Sequence, residues 1–433
     1  MKSLWLEQVN LPEFPNLEGN IKTDVLIIGG GFAGILCAYM LDQAGIDYIL
    51  IEADRICRGI SGNTTAKITS QHGLIYSKIE KRYGTEAARM YFQANEDARK
   101  RYKSLCDKIP CDYRELDNIV YSTPSRGKLE TEMRTLERIG CPAKFLETIP
   151  LPVRTCGAVC FPNQAQFHPM KLIAGITPGL KIYENTKALS FDGTVIETNQ
   201  GKIRAGAIIV ATHFPLFNKH GSYFLKMYQH RSYVLALENA QRLDAMYVDE
   251  SKKGLSFREY KDLLLLGGGG HRTGKQGGNW TELKDFAKNH YPNAEVVAQW
   301  AAQDCITLDG MPYIGQYSSK TANMYVATGF NKWGITSSMV AASILCDCIQ
   351  GKENPYAEIF SPSRSILHPQ LACNALETTM NLLTPTKPRC PHMGCALKWN
   401  PQEHSWDCSC HGSRFSDKGE LLNNPANDDL NLH

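Results

Sequence analysis

Four cysteines, with His392 and His411 interleaved among them, fall within a short segment near the carboxy-terminal end of the sequence. Reduced to its possible metal ligands, the pattern is Cys390-x-His392, then fifteen residues, then Cys408-x-x-His411. Thiolates and imidazoles are the side chains that hold zinc ions and iron–sulfur clusters in proteins. Zinc sites favour Cys-x2–4-Cys and His-x3–5-His spacings, which these are not. The segment therefore predicts a metal or iron–sulfur centre, with a zinc site or no site at all as the alternatives.

A glycine pattern near the start of the sequence is typical of a dinucleotide site. Gly29-x-Gly31-x-x-Gly34 follows the apolar run 24–28 and opens a helical segment. The glycines allow a tight turn, close approach of a pyrophosphate and close packing of helix on strand. Glu52 ends the next strand, where a carboxylate can accept hydrogen bonds from a ribose diol. The alternative is a tight turn that binds nothing.

Three further runs extend this pattern along the chain. They are the segment 53–67, DGMPYIG at 309–315 and ATGFNKWGIT at 327–336. Here the sequence resembles the D-amino-acid oxidase, glycine oxidase and sarcosine oxidase superfamily of FAD-dependent oxidoreductases, over about residues 20–355. The resemblance implies FAD as the dinucleotide. Since no cysteine or histidine matches the family's covalent attachment positions, we expect FAD to be bound non-covalently.

The same resemblance implies which residues contact FAD. Serine and threonine side chains after the second strand contact the diphosphate or the flavin. Backbone N–H groups of the late glycine-rich turn and its helix face the flavin pyrimidine and stabilise negative charge there. Backbone near residue 187 faces the adenine, and one Ala-Thr pair matches the family's strand end. The residues implied are Gly29, Gly31, Phe32, Ala33, Gly34, Glu52, Ala53, Ser61, Thr64, Thr65, Lys187, Ala188, Ala211, Thr212, Gly315, Gly329, Phe330, Lys332, Gly334, Ile335 and Thr336.

The carboxy-terminal segment resembles the Rieske [2Fe–2S] module. In that module one iron takes the two cysteines and the other takes the two histidines, which implies Cys390 and Cys408 on one side and His392 and His411 on the other. The resemblance also implies a disulfide between the remaining pair, Cys395 and Cys410.

Two features depart from the Rieske pattern. Ser413 matches a serine that hydrogen-bonds a cluster sulfide, but Phe415 stands where the family has a tyrosine, so we expect a lower reduction potential than in respiratory Rieske proteins. The segment 370–389, before the first ligand, is short, and within it 374–380 is typical of a helix. We therefore expect a truncated module, whose cluster loading is less certain than its motif.

Five residues are candidates for the substrate side of the flavin. Arg231 and Tyr233 lie in a predicted strand, His271 follows a glycine run, and Lys332 and Trp333 occupy the turn that faces the flavin. A cation over the flavin could hold a substrate carboxylate or activate an acceptor. The alternatives are a surface ion pair for the arginine, a loop position for the histidine and plain packing for the tryptophan.

The order of the predicted strands and helices indicates an α/β fold. We expect a Rossmann-type FAD-binding domain with an inserted antiparallel-sheet substrate domain, followed by a small all-β Rieske-like module. The oxidoreductase spans 1–355, with FAD-binding parts at about 20–85, 150–220 and 305–355 and the substrate domain at about 86–149 and 221–304. A linker covers 356–385 and the module covers 386–433.

Composition excludes several classes. The 433 residues carry a formal net charge of +3 without a long basic run, which disfavours a nucleic-acid binder. The first residues lack the apolar region of a signal peptide, and glycines interrupt the longest apolar stretch, so we expect a cytoplasmic protein without an integral membrane segment. The other eleven of the fifteen cysteines are expected to be mostly small buried residues.

Together the two modules predict a bacterial flavin dehydrogenase. It would take a hydride from a small amine or amino-acid-like substrate and pass the electrons singly through the [2Fe–2S] cluster to an outside one-electron acceptor protein. One alternative is a flavin oxidase whose tail is empty or binds zinc. Another is an electron-transfer or redox-sensing protein that relays electrons between protein partners.

Overall fold

A computed structural model describes residues 3–216, 221–251, 254–386 and 388–432. The helices are α1 Leu4–Gln8, α2 Phe32–Gln43, α3 Tyr76–Tyr83, α4 Thr85–Cys106, α5 Arg126–Ile139, α6 Pro169–Ile176, α7 Tyr223–Lys226, α8 Asn279–His290, α9 Gly334–Ile349, α10 Ala357–Phe360 and α11 Pro369–Leu383. The strands are β1 Ile21–Ile28, β2 Tyr48–Ile51, β3 Lys67–Ile68, β4 Arg114–Tyr121, β5 Lys144–Leu146, β6 Ala158–Gln166, β7 Ile182–Tyr183, β8 Ala188–Asp192, β9 Val195–Thr198, β10 Lys202–Val210, β11 Met227–Glu238, β12 Met246–Asp249, β13 Ser256–Tyr260, β14 Leu263–Arg272, β15 Glu295–Thr307, β16 Tyr313–Gln316, β17 Met324–Thr328, β18 Leu397–Asn400, β19 Ser405–Cys408, β20 Arg414–Ser416 and β21 Leu421–Asn423. Among the described residues, no helix is both long and apolar enough to cross a membrane.

The first sheet has the order β16-β17-β10-β1-β2-β7, with the hairpin β8–β9 attached to β10. The strands from β17 to β7 pair in parallel, and β16 is an antiparallel edge. The end of β1 is apolar because both of its faces are covered: Val25 and Ile27 join the core formed with α2 and α9, and Leu26 and Ile28 join a second core on the other face. The predicted Rossmann-type sheet is confirmed.

The second sheet has the order β15-β11-β14-β13-β12-β4-β6-β3, with β5 beside β6. All of its pairs are antiparallel except β4 with β12, which run in parallel. The predicted domain limits need correction here. Strands β3 and β6 lie in this sheet and not in the FAD-binding part, and α4 packs against α9 of the first domain. A period-two pattern predicts a strand but not its distant partner, which is why the limits were misplaced.

The segment between the two modules is anchored to the oxidoreductase, although it was predicted as a linker. Arg364 forms an ion pair with Asp309, with Nε and Oδ2 3.0 Å apart and side chains only 5% and 4% exposed. Its Nη2 also donates to the carbonyl of Met311 at 2.9 Å. Helix α11 follows and contains the predicted helical stretch 374–380.

The last four strands form a small antiparallel sheet in the order β18-β19-β20-β21. Its core is built from Leu397, Phe415, Ala426 and Leu430 together with the four clustered cysteines. The predicted small all-β module is confirmed. Within the described residues, helix α11 precedes the first ligand loop, as the sequence predicted in place of further strands.

Candidate active site and cluster site

A cavity of about 770 Å³ lies between the glycine motif of the first sheet and the strands of the second. Its volume is within the range of small-molecule and cofactor sites. It brings together most of the residues predicted to contact FAD. Those that line it are Gly29, Gly31, Phe32, Ala33, Glu52, Ala53, Ser61, Thr64, Thr65, Lys187, Ala188, Ala211, Thr212, Phe330, Lys332, Gly334 and Ile335.

Four of the predicted contacts lie behind the cavity surface and need correction. A Cβ on Gly34 would stand 1.9 Å from the carbonyl oxygen of Gly29, and one on Gly329 would stand 2.3 Å from the side chain of Thr307. These glycines therefore permit close packing and are not cofactor contacts. Gly315 lies within β16, and Thr336 Oγ1 donates to the carbonyl of Thr69 at 2.9 Å.

The glycine motif leaves the beginning of α2 open to the cavity. Gly29 has φ +112°, and a Cβ there would stand 2.6 Å from the carbonyl oxygen of Ala211. The N–H of Phe32 donates to Ser61 Oγ at 3.0 Å, which places a hydroxyl beside the start of the helix. Free N–H groups at a helix start bind anions. The close approach of backbone to cavity fits the FAD diphosphate.

Glu52 is held at the end of β2 by the backbone. Its Oε2 accepts from the N–H of Gly30 at 2.7 Å and its Oε1 accepts from the N–H of Asp54 at 3.0 Å. Burial raises the pKa of this carboxyl group. A carboxylate can accept about four hydrogen bonds, so acceptor sites remain for ribose hydroxyls.

The turn before α9 forms the opposite end of the cavity. Asn331 and Lys332 have φ +52° and +73°, and Asn331 Oδ1 accepts from the N–H of Thr307 at 2.9 Å. Trp333 stacks on His72, with ring centroids 5.0 Å apart and planes 17° apart. This bonding turns the positive end of α9 toward the cavity, which suits an electron-rich flavin ring.

His72 was not predicted, although it lines the cavity and supports Trp333. Its Nδ1 is hydrogen-bonded to the hydroxyl of Tyr91 at 2.7 Å and its Nε2 to the carbonyl of Thr69 at 2.9 Å. Burial lowers the pKa of His72 to about 3, so the ring is neutral at physiological pH. His72 therefore fixes the tryptophan without adding charge.

Four further cavity residues were missed because no motif marks them; three lie on strands and one lies in the loop after β10. They are Lys67, His213, His230 and Asp304. Burial lowers the pKa of Lys67 to about 7. Burial raises the pKa of Asp304 to about 6, against the opposing charges of Lys332 and Arg231. The signal that could have found the three strand residues is the period of two along a strand, which sends every second side chain to the same face.

Three of the five substrate-side predictions, Tyr233, Lys332 and Trp333, line the cavity. Arg231 does not: it forms an ion pair with Glu403 of the carboxy-terminal module, with its Nε 3.1 Å from Oε1. The hydroxyl of Tyr233 also donates to Glu403, at 2.7 Å, although its ring borders the cavity. His271 stacks on Tyr233 outside the cavity lining. The structure therefore does not bring Arg231 and His271 to the cavity lining, because Arg231 lies on the face of β11 that meets the module.

The predicted cluster ligands converge on one site. The rings of His392 and His411 have centroids 5.0 Å apart, and the thiols of Cys390 and Cys408 contact each other. Both ring nitrogens of His392 and Nδ1 of His411 are buried without a hydrogen-bond partner among the described residues. Burial lowers the pKa of His411 to about 4, which keeps its ring neutral, as metal ligation requires. Two thiols and two orphaned imidazoles fit a Rieske cluster.

The other two cysteines lie beside these ligands. The sulfur atoms of Cys395, Cys408 and Cys410 all lie within 4.8 Å of one another, and all are free thiols here. The disulfide between Cys395 and Cys410 stays a prediction. Ser413 Oγ accepts from the N–H of Ala426 at 3.0 Å, beside the ligand loops.

One sheet separates the cavity from the cluster site. On β11, His230 faces the cavity, while the Nε2 of its neighbour Gln229 donates to the carbonyl of His411 at 3.0 Å. On β15, Asp304 faces the cavity, while the Nε2 of Gln303 donates to the carbonyl of Gly412 at 2.8 Å. The thickness of a single sheet therefore lies between the two sites.

The end of the module also reaches the cavity. Six of its residues line the cavity wall, among them Asn424 and Asn427. Asn424 Nδ2 donates to the carbonyl of Thr212 at 3.1 Å, and Lys187 Nζ donates to the carbonyl of Asn427 at 2.9 Å. The module is thus a structural part of the FAD cavity.

Comparison with known proteins accounts for both parts of the chain. The family described as FAD dependent oxidoreductase matches residues 24–348, and the Rieske [2Fe-2S] domain matches residues 379–433. The chain is 32% identical to the Rieske 2Fe-2S iron-sulfur protein YhfW of Bacillus subtilis, over 98% of this chain and 96% of that protein. It is 26% identical to the gamma-glutamylputrescine oxidoreductase of Escherichia coli, over 78% of this chain and 86% of that protein.

The fold is similar to that of a solved glycine oxidase from Geobacillus kaustophilus. The TM-score is 0.66 at 21% identity, and the match covers 79% of this chain and 99% of that one. The predicted FAD and [2Fe–2S] cofactors are confirmed at the level of the two families. The chain belongs to the FAD-dependent oxidoreductase family and carries, after its oxidoreductase domain, a Rieske [2Fe–2S] domain.

Proposed function

We propose that the protein is a dehydrogenase that oxidises a C–N bond of a small amine or amino-acid-like substrate and delivers the electrons singly to an outside acceptor. Bound FAD supplies a two-electron acceptor, and the Rieske cluster supplies a one-electron carrier. The likeness to the gamma-glutamylputrescine oxidoreductase supports C–N chemistry. A substrate that gives up two electrons at once cannot reduce a one-electron acceptor directly. The FAD domain would take up the electron pair, and the Rieske domain would pass the electrons on one at a time.

One observation carries the proposal: neighbouring residues of the same strands face the two sites. His230 and Asp304 border the FAD cavity, while Gln229 and Gln303 bond the carbonyls of His411 and Gly412. The Nε2 of Gln303 also donates to Oε1 of Gln229 at 2.6 Å, which links the two glutamines. These hydrogen bonds hold the cluster loop against the sheet. A fixed, short separation favours electron transfer within the molecule.

The other residues of the cavity serve substrate oxidation. Lys332 and Trp333 border the end where α9 begins, and His72 keeps the tryptophan ring in place. Residues of the Rieske domain, including Asn424, close the cavity on another side. An enclosed site excludes water, which strengthens electrostatic interactions and limits side reactions. Such a site suits hydride removal from a small molecule.

The test is anaerobic reduction of the holoprotein. The protein is purified without oxygen, its iron and zinc contents are measured, and low-temperature EPR spectra are recorded after dithionite and after each amine of a panel. We expect about two irons per FAD, and with the right amine both flavin bleaching and a Rieske-type EPR signal.

A His411→Ala variant serves as the control, since it removes a cluster ligand and leaves the cavity lining intact. It should bleach with the same amine but give no Rieske-type signal. Iron-free or zinc-loaded wild-type protein would contradict the proposal and leave a flavin oxidase with a structural tail. Reduction by protein donors alone, with no response to any amine, would favour the relay between protein partners.

A further inference from the structure

Asp304 is a carboxylate that faces the cavity. It lies on β15, opposite His230 of β11, and it lines the cavity wall. Its chain neighbours face elsewhere, since Gln303 bonds the Rieske domain and Cys305 is buried in the core. A carboxylate in such a position is costly unless a ligand or a proton compensates it.

The charges around Asp304 leave it available to a ligand. Arg231 approaches from the neighbouring strand, but its guanidinium is bonded to Glu403 on the opposite face of the sheet. The positive charge of Lys332 favours the ionised form of Asp304. Burial raises the pKa of Asp304 to about 6, which suits a group that gains and loses a proton near neutral pH.

We propose that Asp304 binds the ammonium group of a cationic amine substrate and accepts the proton that this group must lose before oxidation. The inference rests on the proposed function and names the substrate class. It assigns a role to a residue that no sequence motif marks. It also favours an amine without a carboxylate beside the reacting carbon, because that carboxylate would lie close to Asp304 and be repelled.

The chemistry balances in three steps. The N–H bond of R-CH2-NH3+ breaks, and its proton forms an O–H bond on the Asp304 carboxylate, leaving a neutral amine. The C–H bond of the same carbon then breaks, and both of its electrons leave with the hydrogen to FAD, while the nitrogen lone pair forms the C=N bond. Water adds to the resulting R-CH=NH2+ and releases an aldehyde and an ammonium ion. Asp304 regains its negative charge by losing the proton to solvent.

The test is a binding titration of the oxidised, FAD-loaded protein with three probes of similar shape. Butylamine is a cation, butanol is neutral and butyrate is an anion, and binding is followed by the change in the flavin absorbance spectrum. We expect the wild type to bind butylamine more tightly than butanol and butyrate. Since a hydrogen bond to a charged group is lost, Asp304→Asn should weaken butylamine binding roughly 10- to 100-fold and leave butanol binding unchanged.

Two further variants control the result. Asp262→Asn removes the same charge at a side chain that is 91% exposed, and it should change no affinity. Asp304→Glu keeps the carboxylate and should keep the preference for the cation, which covers the case in which Asp304→Asn loses FAD. Tighter binding of butyrate than of butylamine by the wild type, or butylamine affinity within twofold of wild type in Asp304→Asn, would overturn the proposal.

Because these titrations need neither turnover nor the cluster, their failure is separate from failure of the proposed function. An amine that binds through Asp304 but never reduces the flavin would refute the dehydrogenase and leave the binding role standing. An amine that is oxidised with unchanged rate and affinity in Asp304→Asn would refute the role of Asp304 alone.

Discussion

Glu403 joins the Rieske domain to the oxidoreductase sheet, and replacing it with alanine should weaken that junction. Its carboxylate accepts from Arg231 of β11, from Arg414 of β20 at 3.0 Å and from the hydroxyl of Tyr233 at 2.7 Å. Burial opposes its ionisation, but the two guanidinium groups hold the pKa of Glu403 below its ordinary value. The side chains of Glu403 and Arg231 are only 9% and 5% exposed.

The size of the destabilisation depends on which partner of Glu403 is left without an opposite charge. Arg414 keeps Asp407, whose Oδ1 lies 2.9 Å from its Nε, whereas Arg231 has no second ion pair within 4.0 Å among the described residues. Removing one partner of a buried pair costs about 3–5 kcal/mol. We therefore expect Glu403→Ala to lower the free energy of unfolding of the docked domain by that amount. Replacing both Arg231 and Glu403 by methionine should recover most of the loss, since apolar residues of similar size can replace a buried pair.

The assay is urea unfolding followed by two signals, cluster absorbance for the Rieske domain and flavin fluorescence for the FAD cavity. In Glu403→Ala both transitions should move to lower urea concentration. The matched control is Glu147→Ala, which breaks a pair with Arg126 whose side chains are 69% and 48% exposed. Such a surface pair contributes about 0–1 kcal/mol. The reasoning is refuted if the two alanine variants lose similar stability, because burial would then not decide the cost.

Three other predictions follow from the described contacts. Gln303→Leu removes the hydrogen bond to Gly412 and should slow reduction of the cluster at least roughly tenfold, which corresponds to about 1.4 kcal/mol in the activation free energy. Stopped-flow experiments measure this rate, and flavin reduction by the same amine should stay unchanged. Phe415→Tyr restores the hydroxyl of the Rieske pattern and should raise the midpoint potential of the cluster by about 40–60 mV, which corresponds to one hydrogen bond of about 1–1.5 kcal/mol. A redox titration followed by EPR measures this potential. Burial lowers the pKa of His72 to about 3, so between about pH 6.5 and pH 3 its ring is neutral in the native state and protonated in the unfolded chain. Its contribution to the free energy of unfolding is therefore lost as the pH falls through this range. His72→Gln should reduce the slope of unfolding free energy against pH in that window by up to about 1.4 kcal/mol per unit, and equal slopes for both proteins would contradict it.

The features that sequence predicted well depend on residues close together in the chain. The Gly29–Gly34 turn and the Cys390 and Cys408 ligand loops are each a few residues long, and their geometry follows from local backbone requirements. The two domain families and the α/β fold were therefore predictable. Helix α11 was predictable in part from its local pattern.

The features that sequence did not predict depend on distant partners. Arg231 looked like a substrate contact, and it is the position of Glu403, 172 residues later, that draws it to the other face of the sheet. Asp304 has no neighbouring motif, and only the pairing of β15 with β11 brings it to the cavity. Strand pairing and docking between domains are set by tertiary packing, which local patterns do not record.

The cavity wall contributed by the Rieske domain has a consequence for the binding of FAD. Since Asn424 and Asn427 both seat that domain and border the cavity, binding of FAD and docking of the domain stabilise each other by the same free energy. A change that undocks the Rieske domain should therefore weaken the binding of FAD, and removal of FAD should in turn weaken the docking of the domain. The domain that carries electrons away from the flavin is thus also one of the parts that hold the flavin in place.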